Sequence, residues 1–475
     1  MRMNRSKRQD LLFLVFFVVL SLTIILLSRN IPFFWDNYII SRLATFYYEN
    51  SFSKIVPPLN IDYGVFTFYA YYIAAFWKIF GKTLLVSHLA MLPILTGIFW
   101  ELRKISLHFI RPGYFLLFLL FILADPAFIT QAILMGYDLF LLYFFLAALR
   151  SLINRKYLLY SLCLVIMAGI SVRGILGIFS LFFVHILYKK MIEKKKLKFK
   201  LLLLYLPCTI FLITWMLFHY AQTGWFFFTP EENYFRDFNG LLMAFRHFFY
   251  IIWKITDSGR LFIWVFFLIC FLTYIKTRKT NPQFKLLAIF LFVPLLVNII
   301  FMVPISNPVG HKYFLLQYVF LSLFAVLIIQ EFQSIKTKIL FSTLIVAFFI
   351  AGNFIVYPQK YGNAWETSLK TLPYFTAEKE MKEFLSTQNI NPSEIYTFFP
   401  LNNNHKFSYL NEDYAYKAAD TVPTDSCRYV ILSTIFNIKN PGQFINKTRN
   451  WVVLKNIRYW PIEIKLLENP TSYKH

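Results

Sequence analysis

A chain of 475 residues that is 58% hydrophobic and 20% aromatic, with a mean hydropathy of +0.55, falls outside the composition of soluble domains and reads as a polytopic membrane protein. Its net charge of +24 invites a nucleic-acid reading, but Lys and Arg sit in short clusters between apolar runs, where membrane topology expects them. Cys163, Cys208 and Cys270 lie in apolar runs and Cys427 in a polar one, which excludes a disulfide framework or a zinc spacing.

In chain order, Arg2, Arg5, Lys7 and Arg8 precede an apolar run from Leu11 to Leu27. The run has the outline of a signal peptide, but no small-residue cleavage site follows it, so it reads as a retained first span. A span needs ~20 apolar residues, and by that criterion about eleven are predicted. They lie near 11–28, 84–100, 113–124, 138–153, 157–172, 174–188, 200–219, 261–275, 285–304, 313–330 and 338–357. Basic clusters fall alternately on one side: Arg103, Lys104 and Arg111; Arg150, Arg155 and Lys156; Lys189 to Lys200; Lys276, Arg278 and Lys279; Lys336 and Lys338. That side is expected to be cytoplasmic, which puts the N-terminus inside and the C-terminus outside. With no eukaryotic retention signal in view, a bacterial inner membrane is the expected location.

Two outer loops carry structure of their own. Residues 38–50 and the aromatic run Val65 to Phe80, which ends at Gly81, read as helices at the membrane interface. The loop 220–260, rich in aromatics and containing Glu231, Glu232 and Asp237, reads equally as a lid or as a plain interfacial helix. After Tyr357 charges and Asn become frequent. A helix from Thr376 to Thr387 and strands at 395–399, 429–434 and within 451–467 predict a small α/β domain over residues 358–475. It contains no catalytic motif, and its expected role is contact with an acceptor or partner.

Charged residues at span ends are the chemical candidates, because charge at membrane depth is costly and defaults to function. Asp36 follows the first span in Ile31-Pro32-Phe33-Phe34-Trp35-Asp36-Asn37-Tyr38, where an aromatic collar would desolvate a general base. Asp138 heads the fourth span, as an acid with a role or as a helix cap, and Asp62 opens the aromatic run, also as a possible cap. Arg173 and the pair His311-Lys312 fall on the same outer side. Acids and cations on one face suit deprotonation of a nucleophile beside an anionic leaving group. Their place at span ends rather than mid-span favours an interfacial site over an ion path. No Gly-rich phosphate loop, metal-binding His-Glu helix or nucleophile elbow is present.

These pieces, taken in order, resemble the GT-C superfamily of membrane glycosyltransferases, particularly the lipid A aminoarabinose transferase and protein O-mannosyltransferase branch. Trp35-Asp36-Asn37 is similar to the family's Asp-Glu motif, with Asn37 at the second acid. Phe76-Trp77-Lys78-Ile79-Phe80-Gly81-Lys82 with Ser87-His88-Leu89 resembles the segment ending in Phe-Gly. Asp138, Ser171-Val172-Arg173-Gly174 and Gly310-His311-Lys312-Tyr313 stand where relatives have an acid, a basic residue before Gly, and a basic-Tyr pair. Asp62-Tyr63-Gly64-Val65-Phe66 departs from relatives that carry His-Pro or Lys-Pro after the acid and Gly. The resemblance implies an inverting transferase using a polyprenyl-phosphate sugar and a lipid, glycan or protein acceptor. It implies Asp36 as catalytic base and Asp138 as a second acid orienting acceptor or sugar. Asn37, Asp62, Arg173, His311, Lys312 and Tyr313 would bind substrate. No cofactor is implied beyond the donor itself, with a divalent metal left open. Two other readings stand beside it: a transporter or flippase of lipid-linked glycan, for which the span middles offer few polar residues, and an inactive GT-C-like assembly partner.

Overall fold

A computed structural model describes residues 5–62, 64–196, 199–226, 240–276, 282–305, 308–358, 363–411, 413–419, 427–436 and 446–470. The chain begins with α1 (Arg5–Ser28), α2 (Asp36–Glu49) and α3 (Phe68–Phe80). Next come α4 (Leu84–Leu89), α5 (Met91–Ser106), α6 (Phe115–Ala124), α7 (Pro126–Ile133) and α8 (Tyr137–Ile153). They are followed by α9 (Tyr157–Ala168), α10 (Val172–Leu187), α11 (Leu206–Thr223), α12 (Leu241–Thr256), α13 (Arg260–Lys276), α14 (Pro282–Met302), α15 (Leu315–Ile329) and α16 (Ile335–Gly352). All eleven predicted spans are helical in whole or part, and both predicted interfacial helices form as α2 and α3.

Six helices are long and apolar enough to cross a membrane singly, and eight if each of two bent pairs counts as one span. This is a multi-pass membrane protein. The span expected at 113–124 is one arm of such a pair: α6 and α7 meet at 70°. Asp125 at the break caps α7 by accepting from the Ala127 and Phe128 amides at 2.9 and 3.1 Å, while Pro126 lacks the amide that would continue the ladder. The second pair, α12 and α13, meets at 95° through Asp257-Ser258-Gly259. Gly259, at φ +81°, lies so close to α16 that a Cβ would fall 1.8 Å from the Phe348 carbonyl, so only glycine permits this approach. Arg260, fully buried, joins the two breaks through bonds of 2.7 Å to both Asp125 oxygens. The central helix is the span His311–Ile329, 83% buried, whereas Ile335–Gly352 is only 17% buried and presents its apolar side chains outward.

Beyond α16 lie α17 (Leu372–Thr387), the strand β1 (Ile395–Thr397), the short α18 (His405–Ser408) and the strands β2 (Lys417–Ala418), β3 (Tyr429–Ser433), β4 (Val452–Tyr459) and β5 (Ile462–Glu468). The sheet order is β2-β1-β3-β5-β4, with β1 parallel to both neighbours and β3-β5-β4 antiparallel. Alternate inward residues Ile431, Ile464 and Leu466 pack with Ala377 and Met381 of α17 in a core separate from that of the helical body.

Two residues of the helical body, Phe34 and Leu134, belong to this second core. The aromatic collar of Asp36 is therefore an anchor between layers. Phe34 packs tilted against Tyr374 at 5.7 Å and edge-on against Phe375 at 5.2 Å, Trp35 meets Phe399 edge-on at 4.9 Å, and the Phe33 amide bonds the Ser408 carbonyl at 2.9 Å. Trp35 sits at φ 54°, a strained conformation for a bulky residue, held by these contacts.

Candidate active site

α2 begins at Asp36, so the strained Trp35 turn sets where its carboxylate points. Lys312, in a short 3-10 turn leading into α15, donates to Asp36 Oδ2 at 2.6 Å and to Glu366 Oε2. Glu366 lies in a 3-10 turn after α16, and its backbone carbonyl accepts from Gln131 of α7 at 2.7 Å. One ammonium thus bridges two carboxylates contributed by the first outer segment and by the chain beyond the last helix of the body.

The two acids cannot behave alike. Burial pushes the Asp36 carboxyl up, but the Lys312 ammonium pulls harder and holds it below its ordinary value. Burial and the neighbouring Asp36 charge push Glu366 up to about 7 despite Lys312. Near neutrality Asp36 is the ionised member and Glu366 shares a proton. A raised carboxyl pKa in the folded state means that folded protein binds a proton the unfolded chain has released between the ordinary glutamate value and about 7. Stability from Glu366 is therefore present at low pH and lost as pH rises through that window. Asp36 is ionised in both states there and contributes no slope. Glu366→Gln should flatten the fall in melting temperature between pH 5 and pH 8, and an unchanged slope would remove Glu366 as its source.

Asp138 and Arg173 form the second pair. Arg173, at the start of α10, donates to Asp138 Oδ1 and to the Tyr137 hydroxyl, with its guanidinium 4.0 Å from the Tyr313 ring centre. Asp138 does not cap α8, as Gly136 occupies that position and Asp138 lies inside the first turn. Its Oδ2 is buried with no partner among the described residues. His311 donates from Nε2 to the Asp257 carboxylate oxygen Oδ2 at 2.7 Å.

These groups line two cavities. A polar one of about 400 Å³ is walled by Asp36, Lys254, His311, Lys312, Tyr313 and Glu366. A narrow, mostly apolar groove of about 60 Å³ runs between α8, α10, α14 and α15, with Asp138 and Arg173 among its lining. Lys312 and Tyr313 line both.

Of the residues singled out in the sequence, Asp36, Asp138, Arg173, His311, Lys312 and Tyr313 converge here. Asn37 and Asp62 do not line either cavity. One helical step turns Asn37 away from Asp36, and its amide bonds the Leu134 carbonyl at 2.8 Å. Asp62 caps nothing at the aromatic helix, which starts at Phe68. It accepts from the Gly64 amide at 2.8 Å and pairs with His219 of α11 at 2.8 Å, both side chains buried. Glu231, Glu232 and Asp237 of the expected lid lie outside the described residues, while 241–256 is the helix α12, with Leu241, Met243 and Phe245 exposed. Glu366 was not legible in sequence, and its one signal is an isolated acid beside Trp365 just past the last span. Among the described residues no three His, Cys, Asp or Glu side chains group as metal ligands.

No protein-family model and no curated protein sequence matches the chain. Two solved structures do, over nearly the full length of both partners. One is ArnT from Cupriavidus metallidurans bound to undecaprenyl phosphate, at a TM-score of 0.56 and 11% identity, covering 95% of this chain and 97% of the other. The other is the same protein in the apo state, at 0.54 and 12%, with the same coverage. At such identity the likeness is one of backbone, and it agrees with the resemblance carried by the motifs. Over nearly its whole length the chain has the fold of ArnT.

Proposed function

We propose that this protein is a membrane glycosyltransferase that moves a sugar from a polyprenyl-phosphate donor to a lipid, glycan or protein acceptor, with inversion at the anomeric carbon. The observation that carries the reading is the meeting of an apolar groove and a polar cavity at Lys312, with Arg173 on the groove side and Asp36 on the other. The small apolar groove would take only the phosphate-proximal end of a polyprenyl tail, its phosphate would meet the two cations that line it, and the acceptor would fill the cavity beside a base. The solved relative bound to undecaprenyl phosphate supports that donor class.

In the free protein Lys312 is held by Asp36 and Glu366. An arriving phosphate competes for the same ammonium. As Lys312 turns to the phosphate, Asp36 loses the cation that suppresses its basicity and becomes the stronger base once the donor is seated. Asp36 then takes the proton of the acceptor nucleophile, which attacks the anomeric carbon. The bond from that carbon to the phosphate oxygen breaks, and its electron pair leaves with the polyprenyl phosphate, stabilised by Lys312 and Arg173. The unpartnered Asp138 Oδ2 is placed to accept a substrate hydroxyl. In this reading the N-terminus is cytoplasmic, residues 358–475 form an extracytoplasmic domain, and the membrane is the bacterial inner membrane.

Thermal unfolding tests the donor assignment. Undecaprenyl phosphate at ~100 times its dissociation constant should add about 2.7 kcal/mol of stability, whereas undecaprenol, with the same tail and no phosphate, should add far less. Equal shifts from the two lipids, or none from the phosphate, would sink the assignment.

A further inference from the structure

α16 starts beside Lys336 and Lys338 and, at 18 residues, is long enough to reach the opposite face of the bilayer by Gly352. Most of it faces lipid, and its apolar exposure does not stop where the helix does. Phe348 and Ile350 are exposed on its last turns, and Phe354, Ile355 and Val356 stay exposed on the segment that follows. That segment is fastened from behind. The Asn353 side-chain oxygen accepts from the Leu369 amide at 2.9 Å, and Lys370 donates to the Ile355 carbonyl at 2.5 Å, so the polar partners lie inward and the apolar side chains face out.

The C-terminal domain meets this segment with the turn between β4 and β5. Trp460, at the tip and 62% exposed, stacks on Phe354 with ring centres 6.0 Å apart and planes at 22°, and Phe354 is itself 61% exposed. The tip is braced on its other side: the Tyr459 hydroxyl donates to Glu380 of α17 at 3.1 Å, and the Thr434 hydroxyl donates to the Pro461 carbonyl at 3.4 Å. The indole is thus presented outward by a fixed turn. Two stacked aromatic rings that each leave more than half their surface open would be costly in water. At the end of a span they lie at headgroup depth, where Trp is favoured because its ring is apolar and its N–H can bond headgroups or water. The patch is continuous with the lipid-facing side of α16, which makes the bilayer, and not a protein partner, its occupant. Val453, also exposed, is ~23 Å along β4 from the tip and outside the patch.

We propose that the β4–β5 turn is a membrane anchor, with Trp460 seated among lipid headgroups beside the C-terminal end of α16, so that the C-terminal domain rests on the bilayer surface as well as on Phe34 and Trp35. The proposal holds whatever the donor and acceptor are. To test it, full-length protein is reconstituted into phosphatidylcholine vesicles with an environment-sensitive NBD label on Trp460→Cys, and quenching by a headgroup nitroxide lipid is compared with the same label on Lys379→Cys. The native Lys379 side chain, on α17, is charged and 79% exposed, which places it in water. Both positions belong to one domain, so orientation in the vesicle affects them alike, and label taken up by Cys163, Cys208, Cys270 and Cys427 in the wild type is subtracted. Lipid quenching should be about threefold or more stronger at 460 than at 379, and quenching by aqueous iodide should run the other way. A second measurement keeps residue 460 aromatic. In vesicles of brominated phosphatidylcholine, the emission that lipid quenches should fall in Trp460→Phe by roughly the share of one tryptophan among the 10 in the chain. Equal lipid quenching at 460 and 379, iodide reaching 460 as readily as 379, or lipid-quenchable emission in Trp460→Phe equal to that of the wild type overturns the proposal. If Trp460→Cys does not fold, the Trp460→Phe comparison decides by itself.

Discussion

Asp36→Asn lowers sugar transfer by about 10²–10⁴-fold, the range a positioned general base supplies, while undecaprenyl phosphate still binds and the melting temperature holds. The asparagine amide keeps the shape of the carboxylate and an oxygen that can accept from Lys312, and Glu366 continues to hold the ammonium from its other side. What it removes is the ability to take a proton. The measurement is a single-turnover assay with a polyprenyl-phosphate sugar at saturating donor, beside a thermal-shift titration with undecaprenyl phosphate. Transfer at the wild-type rate would take Asp36 out of the mechanism. Loss of lipid binding as well would make it a donor ligand instead of a base.

Lys312→Met has the largest expected effect on stability. Removing the shared ammonium, itself buried, leaves two partly buried carboxylates facing each other, and breaking a buried pair from one side costs at most about 3–5 kcal/mol. Because Glu366 is already pushed up to about 7, it takes a proton readily when the cation goes, which holds the cost near the lower end. Affinity for undecaprenyl phosphate should fall about 10- to 100-fold with the loss of one charge-assisted bond. The double variant Lys312→Met with Glu366→Gln should recover part of the stability and none of the affinity. An unchanged melting temperature in the single variant would mean that the two acids do not depend on this lysine. Unchanged lipid affinity would move the phosphate to Arg173 alone.

The candidate site was legible in the sequence to the extent that its members sit at span ends. Asp36, Asp138, Arg173 and Lys312 each mark the end of an apolar run, and charge avoidance within spans brings such residues to one level of the membrane. Asn37 and Asp62 met the same criterion and lie elsewhere. Their orientation depends on helical phase and on His219, which is 157 residues from Asp62 in sequence. Glu366 was missed because it belongs to an irregular segment, where no periodicity says which way a side chain points. The aromatic residues around Asp36 were read as a collar that desolvates it at the membrane surface; Phe34 and Trp35 pack into the core beneath the sheet and Phe33 into that of the helical body, because an aromatic surface fits a protein layer as well as it fits lipid headgroups.

By itself the sequence determined that this is a helical membrane body with two further helices after the first span and a mixed helix-and-strand segment at the end. Run length, alternation and the cost of charge in lipid are local properties that add up along the chain. Only the tertiary structure decided that Lys312 lies between Asp36, 276 residues away, and Glu366, that Arg260 clamps two helix breaks, and that an apolar groove opens beside a polar cavity. Ion pairing at such separations is set by how helices cross and where they bend. Those angles depend on small residues such as Gly259 at close approaches, and no local pattern of residues encodes which surfaces will meet.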